Sequence, residues 1–376
     1  MRKKLVFITM ALLVAVLLGG CVGSTAWPGL SASEDVVYLA NNNAVHAVNH
    51  NGKEIWNFVG EKSGFAFFNT NPKIFVTTPV ITEDGLIIVA SSGNDRTMYA
   101  VDPNDINPET KSPIIKWKFS DVKGHWIAAP LVVGNRLFAP NSDGKIYVLD
   151  LQDGKSVKQA IKVIEPFANS EGQPGRLWAQ PVSDGERIFV TSLDHSVFAI
   201  DAETYDVLWH KDLDGAIPGG VAFGSDGMLY TGSLSKQLEK FDPATGEHGP
   251  VLDTQGWIWG TPVASGDNLY FSDVDGYFYS YNTKEQKLNW EPVKPDSAIT
   301  GSPLVLADRV LLATESGNIY SVNNEGKVVL WHGSTDGKAY TTPVSAGDYV
   351  FIAYIEADYY LVALDKDGHQ AWSFPE

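Results

Sequence analysis

Cysteine is nearly absent from this chain, which contains only Cys21. A single thiol cannot form an intramolecular disulfide, and it excludes metal sites built from several cysteines. Because Cys21 lies at the edge of an N-terminal targeting segment, no cysteine remains to act as a nucleophile. The fold must therefore be stabilised by its hydrophobic core alone, and a chain of 376 residues is long enough to bury one.

Basic residues are also scarce, since 28 Lys and Arg face 45 Asp and Glu, for a net charge of −17. Such a surface repels phosphate backbones and anionic lipids, which excludes nucleic acid as a partner. No nucleophile elbow, P-loop or zincin spacing is present. The alternating carboxylates of Asp273-Val274-Asp275-Gly276 lack the downstream Glu of a calcium loop and indicate a hairpin turn. The sequence predicts no catalytic residue, cofactor or metal ion.

The N-terminus has the three parts of an export signal. Basic residues 2–4 precede the apolar run Leu5–Leu18, and Gly19-Gly20-Cys21 follows. The run is shorter than the ~20 residues of a membrane-spanning helix. We expect residues 1–20 to be a lipoprotein signal peptide, Cys21 to be lipidated, and 21–26 to form a tether. A plain signal peptide or a short membrane anchor are the alternatives.

From residue 27 onward one phrase repeats eight times. The typical unit begins with a small residue, Pro and Val, two β-rich runs follow, and a Trp closes most units. The spacing from Pro to Trp is 28 residues in four units and 29 in a fifth: Pro28–Trp56, Pro181–Trp209, Pro262–Trp290, Pro303–Trp331 and Pro343–Trp372. Unit five is degenerate, with Gly220-Val221 in place of Pro-Val. A period of about 40 to 50 residues with four strands per unit is typical of a β-propeller.

We therefore predict an all-β fold in which residues 27–376 form a single eight-bladed β-propeller of four-stranded antiparallel blades. A large flat ring at a fixed place near the last strand can fill the wedge between adjacent blades. We assign this structural role to Trp56, Trp117, Trp209, Trp290, Trp331 and Trp372. Three insertions interrupt the period, and the one between Asp102 and Trp117 is expected to be a loop because of its Pro and Asn residues.

Units such as Thr261-Pro262-Val263 followed by Leu269-Tyr270-Phe271 and a closing Trp290 resemble the repeats of pyrroloquinoline-quinone-type β-propellers. With the lipid signal, the whole chain is similar to the BamB family of outer-membrane assembly lipoproteins. The quinone-binding members of this fold use an adjacent-cysteine disulfide, which this chain cannot form. The resemblance to the BamB family implies a protein partner bound by loops before first strands, where the nearest positions are Arg176-Leu177 and Asp212-Leu213-Asp214.

Loops that lead into the first strands should gather around one mouth of the central channel. They carry a set of aromatic and basic residues, of the kind that dominates binding hot spots. The candidate partner or ligand face consists of His125, Trp126, Arg176, Trp178, Trp257, Trp259 and Tyr340. The alternative is that these rings only pack between loops.

Three functions remain open. The favoured one is a non-catalytic, lipid-anchored scaffold, a monomer that binds an envelope protein and touches the membrane only through its lipid. The alternatives are a glycan or small-ligand binding module and, last, a quinoprotein-type oxidoreductase. Val22 after Cys21 is not the Asp that commonly retains lipoproteins at the inner membrane, so in a cell with two membranes we expect attachment to the periplasmic side of the outer membrane. In a cell with one membrane, the protein would lie on its outer face.

Overall fold

The computed structural model describes residues 27–61, 73–163, 177–334 and 336–375. In these ranges the chain forms 32 β-strands, which associate as eight four-stranded antiparallel sheets. The prediction of an all-β, eight-bladed propeller is confirmed. The described residues contain no helix that is long and apolar enough to span a membrane.

Each blade is built from four consecutive strands. The strands of blades 1 to 4 are β1 (Gly29–Ala32), β2 (Val36–Asn41), β3 (Ala44–Asn49), β4 (Glu54–Phe58); β5 (Val80–Ile81), β6 (Ile87–Ala90), β7 (Met98–Ile106), β8 (Pro113–Phe119); β9 (Leu131–Val133), β10 (Arg136–Asn141), β11 (Lys145–Asp150), β12 (Ile161–Lys162); β13 (Val182–Ser183), β14 (Arg187–Thr191), β15 (Ser196–Asp201), β16 (Val207–Asp212).

The strands of blades 5 to 8 are β17 (Ala222–Phe223), β18 (Leu229–Gly232), β19 (Gln237–Phe241), β20 (His248–Asp253); β21 (Val263–Ser265), β22 (Asn268–Ser272), β23 (Phe278–Asn282), β24 (Lys287–Leu288); β25 (Leu304–Val305), β26 (Val310–Ala313), β27 (Ile319–Val322), β28 (Val328–His332); β29 (Val344–Ala346), β30 (Tyr349–Ala353), β31 (Leu361–Leu364), β32 (Gln370–Phe374).

Two details differ from the sequence prediction. The segment after Asp102 is not a loop, because β7 continues to Ile106 and pairs with β8 across two register shifts. Bulges of this kind accommodate the extra residues without breaking the sheet. In blade 5, Ala222 pairs with Tyr230 as Val263 pairs with Tyr270 in blade 6, so Val221 occupies the proline position instead of Gly220. The other two insertions lie mostly outside the described residues.

The hydrophobic core is divided among the junctions between blades. Eight buried clusters each combine residues from two adjacent blades, and the last cluster joins blade 8 to blade 1. In that last cluster Phe351 and Leu361 pack with Leu30 and Val37. The ring therefore closes by side-chain packing, with no strand shared between its two ends in the described ranges.

Tryptophans near the last strands lie over glycines of the following blade. At each of these glycines an added Cβ would come within about 3 Å of the indole or its backbone, and each has a positive φ: Gly154 against Trp117, Gly246 against Trp209, Gly326 against Trp290, Gly368 against Trp331, and Gly52 against Trp372. Trp56 instead packs against Tyr38 of its own blade, with the ring centroids 5.8 Å apart and the planes tilted by 37°. Only glycine combines a left-handed backbone with room for a flat ring.

Three of these indoles also donate a hydrogen bond across the junction. The Nε1 atom of Trp117 donates to the carbonyl of Leu151 at 2.7 Å, and that of Trp372 donates to the carbonyl of His50 at the same distance. The third bond joins Trp209 to Pro243 at 3.1 Å. The bond from Trp372 connects the last blade to the first, so it lies at the closure of the ring.

Candidate functional site

The ring has two distinct faces because strands alternate in direction. First strands of adjacent blades lie side by side around the axis, as β17, β21 and β25 do. The loops that enter these strands share one face with the hairpins between second and third strands, and we call this the loop face. The remaining turns form the opposite face.

A repeated hydrogen bond sets the register of the entering loops. Counted back from the proline position, the fifth residue accepts a backbone hydrogen bond from the hairpin of its own blade. The carbonyls involved belong to Ile74, His125, Ala216, Trp257, Ala298 and Lys338. The fourth residue is then turned into the blade junction and is fully buried, as seen for Phe75, Trp126, Leu177, Ile217, Ile258, Ile299 and Ala339.

The third residue before the proline position brings aromatic rings together at the channel mouth. Trp178 and Trp259 have ring centroids 6.3 Å apart. Trp27, which precedes β1, lies 5.9 Å from Trp259 and stacks parallel to Tyr340 at 5.1 Å and 1°. We call Trp27, Trp178, Trp259 and Tyr340 the mouth cluster. Because its members belong to the loops or strands of blades 1, 4, 6 and 8, the cluster lies across the mouth.

Tyr340 is held in place from its polar end. Its hydroxyl donates a hydrogen bond of 2.7 Å to Oε1 of Glu315. Partial burial, together with this carboxylate, raises the pKa of Tyr340, so the phenol stays protonated at physiological pH. The stacked ring is thus fixed as a neutral, flat surface facing Trp27.

Trp126 does not belong to an accessible face, so this part of the sequence prediction is wrong. Its side chain is 0% exposed, packs edge-on against Tyr147 at 5.6 Å, and donates from Nε1 to the carbonyl of Arg96 at 2.8 Å. It occupies the fourth position, where four other loops place Leu or Ile. The adjacent His125 is half-buried, with Nδ1 2.8 Å from the carbonyl oxygen of Ser92.

The remaining predicted site residues differ in their exposure to solvent. Trp257 projects from the loop between blades 5 and 6 and is 47% exposed, the most accessible aromatic side chain among the described residues. Arg176 lies outside the described residues. Of the positions suggested by the family resemblance, Leu177 is buried, whereas Asp212 and Asp214 are exposed on either side of buried Leu213.

Trp27 was not among the predicted site residues. In the repeat, Trp27 stands directly before the first proline, at a position that small residues hold in most units. Five other units have Thr, Ala or Ser there (Thr78, Ala129, Thr261, Ser302 and Thr342). A tryptophan at a position otherwise reserved for small residues was the available signal. Only the ring geometry shows that this indole reaches Tyr340 and Trp259.

Two acidic turns that contain alternating carboxylates have structural roles in the described ranges. Asp273 is fully buried and accepts hydrogen bonds from the backbone of Gly256 and Tyr277 and from the hydroxyl of Tyr279. Asp365, Asp367 and His369 place ligand atoms within 4.8 Å of one another, but Asp365 already accepts two backbone N–H groups of its exposed turn. These contacts organise turns, as expected for such sequences.

The architecture defines the class: an eight-bladed propeller of the pyrroloquinoline-quinone type whose blades are joined by indole–glycine contacts. The family model described as "Outer membrane protein assembly factor BamB" matches residues 20–205, 193–329 and 294–376. The chain therefore belongs to the BamB family.

Individual relatives are distant. BamB of Pseudomonas aeruginosa is 32% identical over 124 residues, which is 32% of this chain and 30% of that protein. BamB of Yersinia pestis is 20% identical over 305 residues, 78% of this chain and 70% of the relative. The chain thus matches about a third of the length of the first relative.

Solved structures show the same fold. The crystal structure of BamB from Moraxella catarrhalis superposes with a TM-score of 0.65 at 18% identity, covering 87% of this chain and 91% of that one. The computationally designed Ika8 protein superposes with a TM-score of 0.66 at 14% identity, covering 93% and 96%. A designed propeller that matches as well as a natural one shows that this similarity concerns architecture alone.

Proposed function

We propose that this protein is a non-catalytic, lipid-anchored scaffold of the cell envelope that binds a protein partner through its loop face. Membership of the BamB family supports the class of function. The observation that carries the choice of face is Trp257, a 47% exposed indole held by backbone hydrogen bonds on both sides: its carbonyl accepts from Val274, and Ile258 donates to Ser233. A rigid exposed aromatic residue is a typical binding hot spot.

The test compares two exposed apolar residues in different places. Leu330 lies on the outer strand of blade 7 and is 52% exposed, so Leu330→Ala is a matched control for Trp257→Ala. Protein without its lipid is used to capture partners from envelope extract. Loss of a hot spot of about 2 kcal/mol weakens binding roughly thirtyfold, so Trp257→Ala should abolish capture of a defined partner while Leu330→Ala retains it. Identical capture by both variants contradicts the proposal.

A glycan-binding function is the second candidate. Nε1 of Trp178 and Oγ1 of Thr341 are buried at the channel mouth without a hydrogen-bond partner in the described residues, and aromatic planes are suited to stacking on sugars. Against it, Trp27 already covers Tyr340. Titration with envelope polysaccharides, followed by Trp fluorescence, distinguishes the two functions. A saturable change that Trp178→Phe removes would favour glycan binding.

A further inference from the structure

The start of the propeller lies near the ring axis, on the loop face. Trp27 contacts Tyr340 and Trp259, which belong to loops entering blades 8 and 6. Pro28 is buried, and a Cβ on Gly29 would lie 2.4 Å from the backbone of Thr77. The chain is therefore held tightly where it enters blade 1, and its first described residue, Trp27, lies in the mouth cluster.

Chain length then limits where Cys21 can be. It stands six residues before Trp27, and six extended residues span at most about 20 Å. A six-residue strand such as β2 is itself about 20 Å long. A group on Cys21 that lies outside the channel is consequently close to the loop face and out of reach of the opposite face.

We infer that the loop face is the membrane-facing side of this protein, held within about 20 Å of the bilayer by a tether that leaves through the mouth cluster. The partner of that face is then the membrane-proximal part of an envelope protein, bound between the ring and the lipid surface. This inference rests on the lipid anchor of the proposed function, and it adds an orientation that the scaffold role does not require.

Two cysteine variants of the full-length chain test the orientation. Asp275→Cys lies in the hairpin between β22 and β23 on the loop face, and Asp348→Cys lies in the turn between β29 and β30 on the opposite face; both aspartates are exposed. Lipidation consumes the thiol of Cys21, so the new cysteine is the only one free. Lipidated protein in phosphatidylethanolamine vesicles is treated with a bulky maleimide–polyethylene glycol.

We expect the cysteine at position 275 to lose most of its labelling on vesicles and the cysteine at 348 to keep it. Soluble forms that begin at Val22 should label equally. A Gly-Ser linker of about 20 residues inserted after Cys21 adds on the order of 25 Å of reach and should restore labelling at 275. Equal labelling on vesicles, protection of 348 instead, or an unacylated Cys21 by mass spectrometry would each overturn the orientation. Partner capture uses the protein without lipid and is unaffected by these outcomes.

Discussion

The junction between blades 8 and 1 and the junction between blades 5 and 6 solve the same packing problem differently. At the first, Trp372 lies over Gly52 and donates to the carbonyl of His50. At the second, blade 5 has no Trp: the residue eight positions after Asp242 is Pro250, whereas the residue eight positions after Asp201 in blade 4 is Trp209. The buried cluster at this junction instead takes Val251 and Leu252 from the last strand of blade 5.

The residue in the turn of the following blade, which would lie under the indole, also differs between junctions. Where the preceding blade lacks a tryptophan, the positive-φ position holds an ordinary side chain: Gln286 in blade 6 and Tyr205 in blade 4. Tyr205 packs back toward blade 3 and lies 6.0 Å from Phe138. Blade 2, with Lys111 at this position behind Trp56, is the exception and carries the extended β7. The indole of one blade and the glycine of the next therefore form a single contact, and the two residues tend to occur together.

The largest expected effect comes from breaking the closing junction. Trp372→Ala removes a half-buried indole and its hydrogen bond to His50, and should lower the free energy of unfolding by about 2–4 kcal/mol. Urea denaturation measures this. Leu330→Ala, an exposed apolar truncation in blade 7, should change it by less than about 0.5 kcal/mol. A similar loss in both variants would mean that the indole contributes nothing special to closure.

Adding a methyl group under an indole should have the next largest effect. Gly154 has a φ of 68°, and a Cβ there would lie 2.5 Å from the ring of Trp117. Gly154→Ala should cost about 1–3 kcal/mol because strain and overlap add. Gln286→Gly is the matched change at a junction without an indole, and it should alter stability by less than about 1 kcal/mol. Equal changes in stability for the two substitutions would show that the indole does not require a glycine beneath it.

A buried carboxyl on the side of blade 5 that faces blade 4 should respond to pH in a distinctive way. Burial raises the pKa of Glu239, only partly offset by His248 at 3.5 Å. A carboxyl with a raised folded-state pKa favours folding at low pH, and this advantage is lost as pH rises from the unfolded pKa through the folded one. Glu239→Gln should therefore gain stability relative to the parent as pH increases above about 4.5. A difference that shrinks with rising pH would contradict this.

The smallest effect is expected at the exposed turns. Backbone N–H groups of Thr245 and Ala244 lower the pKa of Asp242, so its stabilising contribution is present above the unfolded pKa and is lost as pH falls through the folded one. Asn occupies the same position at Asn282 and accepts the same backbone bonds without titrating. Asp242→Asn should leave stability near neutral pH almost unchanged and flatten its decline in acid. If the substitution leaves the decline of stability in acid unchanged, Asp242 does not contribute to that decline.

Regular spacing made the blades predictable. Contacts within one blade join residues less than about 40 positions apart, so they produce a pattern that is visible in the sequence. This pattern consists of the Pro–Trp interval, the Asp-Gly turns and the strands rich in aromatic and β-branched residues. The β-rich run Leu269-Tyr270-Phe271 accordingly lies within the strand β22, Asn268–Ser272. The extension of β7 was not predictable in this way, because Ile106 resumes pairing with β8 beyond the irregularity that follows Asp102.

The candidate site was predictable only as a set of loops. Trp126, Trp178 and Trp257 look equivalent in sequence, yet one is buried, one joins the mouth cluster and one is exposed. A shift of one residue turns a side chain from the channel into the blade junction, and the backbone bonds that set this register come from the hairpins of the blades on either side.

The amino-acid sequence by itself determined the number of blades, their four-strand composition and the absence of disulfides, since each depends on residue type and local period. Tertiary structure alone decided that Trp27 lies on Tyr340, that Trp126 is inaccessible and that Trp257 is exposed. These outcomes depend on which loops meet when residues more than 300 positions apart are brought together at ring closure, and no local pattern encodes that distance.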